Sequence, residues 1–236
     1  MNHLSLGLEG RDRVNNAVGG GFPEGALVLI EGTTGTGKSV LASRIAYGLC
    51  EEGTDVSVVS TEGSAREYVQ QMHSLSYDVV EHLLADRLRY FRAPTDGERA
   101  LLGRLLRPSV VWESRAVVVD GFGALCRNDR EFGPVLDTGS EDQAMEQVTT
   151  RLDGGLEAGK LVVLTVDPAT VGDRALRPLR SAADVLFELE SDVVGQEIRK
   201  NALVRRFAGM KRPVDDTISF SVQQGRGIVI ESRTIA

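Results

Sequence analysis

The stretch ALVLIEGTTGTGKSVLASRIAYGL, Ala26 to Leu49, constrains the fold more than any other part of the chain. A continuous apolar run ends at Gly32, the loop Gly32-Thr33-Thr34-Gly35-Thr36-Gly37-Lys38-Ser39 follows, and Leu41, Ile45 and Leu49 then recur at helical spacing. That order reads as a buried strand, a tight loop and a helix. The eight loop residues fit G-x-x-x-x-G-K-[ST], and a strand-loop-helix setting is the context in which this pattern holds phosphate. Gly35 and Gly37 permit backbone angles that turn successive N–H groups toward an anion, and the helix N-terminus adds its positive end. Gly32 to Ser39, with Val40 next in the helix, are therefore the candidate nucleotide-binding residues. Lys38 would reach the β and γ phosphates. Ser39 offers a hydroxyl to Mg2+, a hard cation that prefers oxygen ligands.

Shorter apolar runs at Val56 to Thr61, Leu88 to Ala93, Ala116 to Gly121 and Lys160 to Asp167 read as further buried strands. Helical patterns at Ala65 to Leu75, Gly97 to Leu106 and Glu141 to Leu156 separate them. This alternation predicts an α/β fold with a mostly parallel central sheet flanked by helices on both faces. After Ala183 the segments VLFELE, ALVRRFAG, TISFSVQQ and GIVIESR succeed one another with no long helix between them, which predicts a C-terminal antiparallel extension. A length of 236 residues and 42% apolar content suit one domain spanning 1–236. Arg130 to Asp142 reads as a mobile loop. No apolar run approaches the roughly 18 residues of a membrane span, and the N-terminus lacks a signal-peptide pattern, so an intracellular location is expected.

The formal charge is −7, from 27 basic and 34 acidic residues, which repels nucleic acid unless basic residues gather on one face. Lysine is scarce, at Lys38, Lys160, Lys200 and Lys211 only, and an acidic, lysine-poor composition points to a salt-adapted or GC-rich source. Cys50 and Cys126 match no metal or redox spacing, and His3, His73 and His82 match no ligand spacing.

Two carboxylates are candidates for the chemistry. Asp120 ends the run AVVVD, where a second metal-side group is expected, although a turn or cap also explains an aspartate there. Glu62, at the end of VSVVSTE, is the candidate base that orients water against a γ-phosphate. It would be catalytic together with Lys38, and its other reading is a helix-N-terminal glutamate favoured by the dipole. Thr61, Thr165 and Asp167 also end strands on the nucleotide side and suit either γ-phosphate sensing or capping. Arg199, Lys200, Arg205 and Arg206 are candidates for a charge supplied in trans to a neighbouring subunit, or for a charged edge strand. Adjacent strand residues face opposite ways, so only one of Arg205 and Arg206 can aim at a given nucleotide.

The opening VGGGFPEGALVLIEGTTGTGKS resembles the KaiC-like branch of the RecA superfamily. EEGTDVSVVSTE, YVQQMHSLSYDVV, KLVVLTVDPATV and RRFAGMKRPVDDTISFSVQQGRGIVIESR resemble the archaellum accessory ATPases of the FlaH (ArlH) family, particularly its haloarchaeal members. The resemblance implies a RecA-like domain that binds ATP and Mg2+, forms a homo-oligomer such as a hexameric ring, and associates with the motor ATPase FlaI and with membrane-platform or cytoplasmic ring proteins. It implies a cytoplasmic protein held peripherally at the inner face of the cell membrane, in which nucleotide occupancy governs partner binding more than hydrolysis does. Matched residues are Gly32 to Ser39, the pair Thr61 and Glu62, and Asp120 as the Walker B aspartate. The choice of adenine rests on the resemblance, because a phosphate loop does not read the base.

Departures from the family pattern imply weak or absent turnover. Gly121 stands where relatives commonly have Ser or Thr, Gly63 loosens the start of the helix after Glu62, and Gly154 and Gly155 each cost a helix about 1 kcal/mol. Three functions compete: a nucleotide-gated assembly protein of the archaellum motor, an actively hydrolysing ATPase, and a RecA-type DNA-binding protein. The negative charge disfavours the last.

Overall fold

The computed structural model describes residues 2–95, 99–194 and 197–230. Strands β1 (His3–Leu4) and β2 (Phe22–Pro23) pair antiparallel near the N-terminus. The main sheet contains β3 (Leu27–Gly32), β4 (Val56–Ser60), β5 (Leu88–Arg92), β6 (Ala116–Asp120), β7 (Leu161–Val166), β8 (Val185–Val194), β9 (Glu197–Phe207), β10 (Thr217–Gln223) and β11 (Gly227–Ile230). Its order is β11-β10-β9-β8-β3-β7-β6-β4-β5. Strands β3 to β8 are mutually parallel, and β9, β10 and β11 continue the sheet antiparallel. The α-helices are α1 (Val14–Ala17), α2 (Lys38–Glu51), α3 (Ala65–Ser74), α4 (Val80–Leu84), α5 (Leu101–Leu105), α6 (Phe122–Arg127), α7 (Glu141–Glu157), α8 (Pro168–Val171) and α9 (Asp173–Ala182).

The central strands are apolar at most positions because both faces of the sheet are covered. Val28 and Ile30 of β3 pack on one side with Ile45 and Leu49 of α2, whereas Leu27 and Leu29 face the other side with Leu152 of α7 and Leu179 of α9. Strands β6 and β7 alternate in the same way, with Val118 and Val163 on the first side and Val117 and Val162 on the second. The parallel arrangement brings the C-terminal ends of β3, β4, β6 and β7 to one edge, and there the candidate residues collect.

Four details differ from the sequence reading. Strand β8 is parallel to β3, with Gly32 opposite Leu189, so the antiparallel extension begins only at β9. Helix α9 before β8 supplies the crossover that a parallel strand needs. Of the helix expected over Gly97 to Leu106, Leu101–Leu105 is observed, and 97–98 lie outside the described residues, as do 231–233 of the last expected strand. Arg130 to Asp142 contains a 3-10 helix, Gly133–Asp137, anchored by the buried Phe132 and Leu136. Gly155 of α7 lies against Trp112, and a Cβ there would come within 2.7 Å of the indole, so close packing offsets the propensity cost assigned to it.

Candidate nucleotide-binding site

The loop between β3 and α2 has the backbone its glycines predict. Gly35 and Gly37 have φ of 85° and 101°, and Gly37 is the N-cap of α2. Gly32 is required for a different reason: a Cβ there would approach Thr36 Oγ1 to 2.6 Å and the Leu189 carbonyl oxygen to 2.8 Å. Lys38 Nζ donates to the Thr33 carbonyl at 2.8 Å, which also accepts from Thr36 Oγ1 at 2.8 Å. Burial lowers the Lys38 pKa, while Asp167, Asp120 and Glu62 pull it back up. An ammonium in this position gains most from an added anion.

Asp120 stands beside the loop at the end of β6. Its Oδ1 accepts from Ser39 Oγ at 3.0 Å and from Thr165 Oγ1 at 2.8 Å, and Thr165 Oγ1 accepts the Gly121 N–H at 2.8 Å. Desolvation raises the Asp120 pKa, opposed by the hydrogen bonds from Thr165 and Ser39. Thr165 therefore orients the aspartate. Asp167 caps α8 through the Ala169 N–H at 3.0 Å and accepts from Thr34 Oγ1 at 3.1 Å, so it joins the capping role to a loop contact.

Glu62 is exposed and lies outside the helix that follows it. Helix α3 is opened by Ser64, whose capping box is closed by Glu67, so Glu67 occupies the dipole-favoured position proposed above for Glu62. Gly63, with φ of 72°, belongs to the turn before the cap and does not loosen α3. The Glu62 backbone is pinned: its N–H donates to Ser60 Oγ at 3.1 Å, and its carbonyl accepts from Ser60 Oγ at 2.9 Å and Tyr90 Oη at 3.0 Å. Ser60 and Tyr90 went unnoticed in the sequence because their roles arise from the β4–β5 pairing, which places Val58 opposite Tyr90.

Gly121 also fits its surroundings. It has φ of 87°, and a Cβ there would come within 2.0 Å of Thr61 Oγ1, so the Thr61 hydroxyl fills the space that a Ser or Thr at position 121 would need.

Lys38, Ser39, Glu62, Asp120, Asp167 and Lys200 line one open cavity of about 380 Å³. Among the described residues there is no cluster of three His, Cys, Asp or Glu side chains able to hold a metal alone. The oxygen pair Ser39 and Asp120 suits a hard cation that takes its remaining ligands from water and phosphate. The four residues considered for a charge in trans separate. Arg205 Nε donates to Glu188 at 2.6 Å, and Arg206 caps α9 through the carbonyls of Arg180, Ser181 and Ala183. Lys200 donates to the Gly35 carbonyl of its own loop, and Arg199 neighbours it on β9.

Known proteins resemble this chain in sequence and fold. The family model "ATPase: KaiC" matches residues 4–102. The archaeal flagellar ATP-binding protein FlaH of Methanocaldococcus jannaschii is 29% identical over 231 residues, covering 96% of this chain and 95% of that one. FlaH of Methanococcus voltae is 26% identical and spans 100% of both chains. The crystal structure of the M. jannaschii protein superposes with a TM-score of 0.87 at 25% identity, covering 98% of this chain and 100% of that one. The chain is similar to FlaH proteins over nearly its whole length. A KaiC-like protein from Pyrococcus horikoshii shares the fold at a TM-score of 0.73 and 20% identity. The likeness to the M. jannaschii FlaH structure covers the antiparallel extension as well as the phosphate-loop half of the sheet. Among the described residues, no helix is long and apolar enough to cross a membrane.

Proposed function

We propose that this chain is an ATP-binding accessory protein of the archaellum, in which nucleotide occupancy controls self-assembly and binding to the motor ATPase. One observation carries the reading: Ser39 and Asp120 are joined at 3.0 Å beside a phosphate loop whose glycines already have the anion-binding backbone. Gly32 to Ser39 cradle the phosphates, with Val40 continuing the helix behind them, and Lys38 leaves the Thr33 carbonyl to pair with them. Ser39 and Asp120 hold Mg2+, which when bound neutralises phosphate charge. The names of the FlaH relatives support ATP as the nucleotide and the archaellum as the machine. On this reading the protein sits in the cytoplasm against the membrane platform as one domain, and assembles with its own copies, the ring being the form that serves the motor.

Glu62 supports a second reading, a working ATPase, because its carboxylate lines the same cavity as Lys38 and Asp120. The test measures oligomeric mass and phosphate release together, at high salt with Mg2+, with and without ATP, for the wild type and Glu62→Gln. ATP-dependent assembly with negligible release supports the regulatory reading. Rapid release that Glu62→Gln abolishes while ATP still binds would replace it with the second.

A further inference from the structure

We propose that Lys200 is a second phosphate-binding lysine, acting in cis on the phosphate loop of its own chain. The inference rests on the nucleotide-binding reading above.

The register places it there. Gly32 at the end of β3 lies opposite Leu189 of β8, Leu189 lies opposite Ala202 of β9, and Lys200 is two residues further along β9 toward the loop. Two strand residues advance about 7 Å, which carries Lys200 past the end of β3 and beside the loop that leaves it. There its stem crosses Gly37 so closely that a Cβ on that glycine would come within 2.9 Å of Lys200 Cδ. Its Nζ donates to the Gly35 carbonyl, on the same cavity that Lys38 lines.

The two lysines differ in their counter-charges. Lys38 has Asp167, Asp120 and Glu62 near enough to favour its charged form. Lys200 is partly desolvated, which lowers its pKa, and no carboxylate counters that shift. Its Nζ donates to one neutral carbonyl, although an ammonium has three donors. A partly desolvated ammonium without a counter-ion, on a loop built for anions, is completed by an anion from outside the chain. A polyphosphate supplies that anion at the place where the ammonium already rests. In this lysine-poor protein, two of the four lysines converge on one eight-residue loop. The alternative role, a charge donated to a neighbouring subunit, would require Lys200 to leave its own loop.

The test measures equilibrium binding of ATP and AMP, with Mg2+, to the wild type, Lys200→Met, Lys200→Arg and the surface control Lys211→Gln. Lys200→Met keeps an unbranched stem over Gly37 and removes the ammonium with its charge and its bond to the Gly35 carbonyl, and its folding is checked by thermal melting. The expected result is ATP binding weakened about tenfold or more, AMP binding nearly unchanged, and substantial recovery in Lys200→Arg. Mixing Lys200→Met chains with Lys38→Ala chains separates cis from trans, because only a lysine acting in trans could be lent by the second chain to the first. Unrestored affinity supports the inference, and restored affinity overturns it. Wild-type ATP affinity in a folded Lys200→Met also overturns it. A wild type that binds no nucleoside triphosphate would instead remove the functional reading itself.

Discussion

At the scale of single residues, the site keeps a charge that the fold alone would reject. Burial raises the pKa of Asp120 above its ordinary 3.8, so the empty protein bears a cost when this carboxylate is ionised. The stabilising contribution of the protonated form is complete below 3.8 and is lost as the pH rises through the elevated folded-state value, so at neutral pH the cost is fully present. Asp120→Asn retains an oxygen acceptor for Ser39 and Thr165 and removes the charge. We expect the empty variant to be more stable than the wild type by about 1 kcal/mol at pH 7, with the difference shrinking as the pH falls toward 4. Mg2+-dependent ATP binding should be lost at the same time. Chemical denaturation across pH, paired with ATP titrations with and without Mg2+, checks both halves. A variant less stable than the wild type at pH 7 would show that Asp120 serves the fold first.

At the scale of elements, the phosphate loop is braced from below by an ion pair between distant parts of the chain. Glu31, the residue before Gly32 in β3, is buried, and its carboxylate accepts from Arg180 Nε at 2.8 Å and Nη2 at 2.8 Å. Arg180 also pairs with Asp173 across α9. Replacing it by leucine leaves a buried carboxylate without its cation, at an expected loss of about 2–4 kcal/mol in urea unfolding, and Glu31→Gln on top of Arg180→Leu should recover part of that loss. This pair spans 149 residues of sequence, and no pattern along the chain marks it. What the sequence did reveal follows from the same physics. Strands β3, β4, β6 and β7 were legible because a sheet covered on both faces favours apolar residues at most positions. Loop residues Gly32 to Ser39 were legible because backbone geometry and phosphate chemistry restrict each position. The position of Lys200 depended on the register of β8 and β9, which includes an irregularity at Leu186 and Phe187, and the setting of Glu62 depended on a cap, Ser64, two residues further on. Side-chain direction at the sheet edge is a property of strand pairing and is settled only when the strands meet.

At the scale of the whole molecule, the site and the core are one construction. The strands that end at Gly32, Ser60 and Asp120 are central strands of the sheet, and the helix that begins at Lys38 carries Ile45 and Leu49 into the core. A ligand held at these ends ties together elements that must separate for the chain to unfold, so binding should register in global stability. At a free Mg·ATP concentration one hundred times the dissociation constant, linkage adds about 2.7 kcal/mol, and for a chain of this length that corresponds to a rise in Tm of about 5–10 °C. Thermal melts with increasing Mg·ATP should show this rise, and Lys38→Ala should abolish it without lowering the melting temperature of the empty protein by a comparable amount. The charge of −7 makes a second expectation specific. A single-stranded oligonucleotide in place of Mg·ATP should leave the Tm unchanged at both low and high salt, because long-range repulsion opposes association and screening removes repulsion without creating contacts. A rise in Tm with the oligonucleotide that weakens steeply as salt is added would instead mark a basic surface that overrides the net charge.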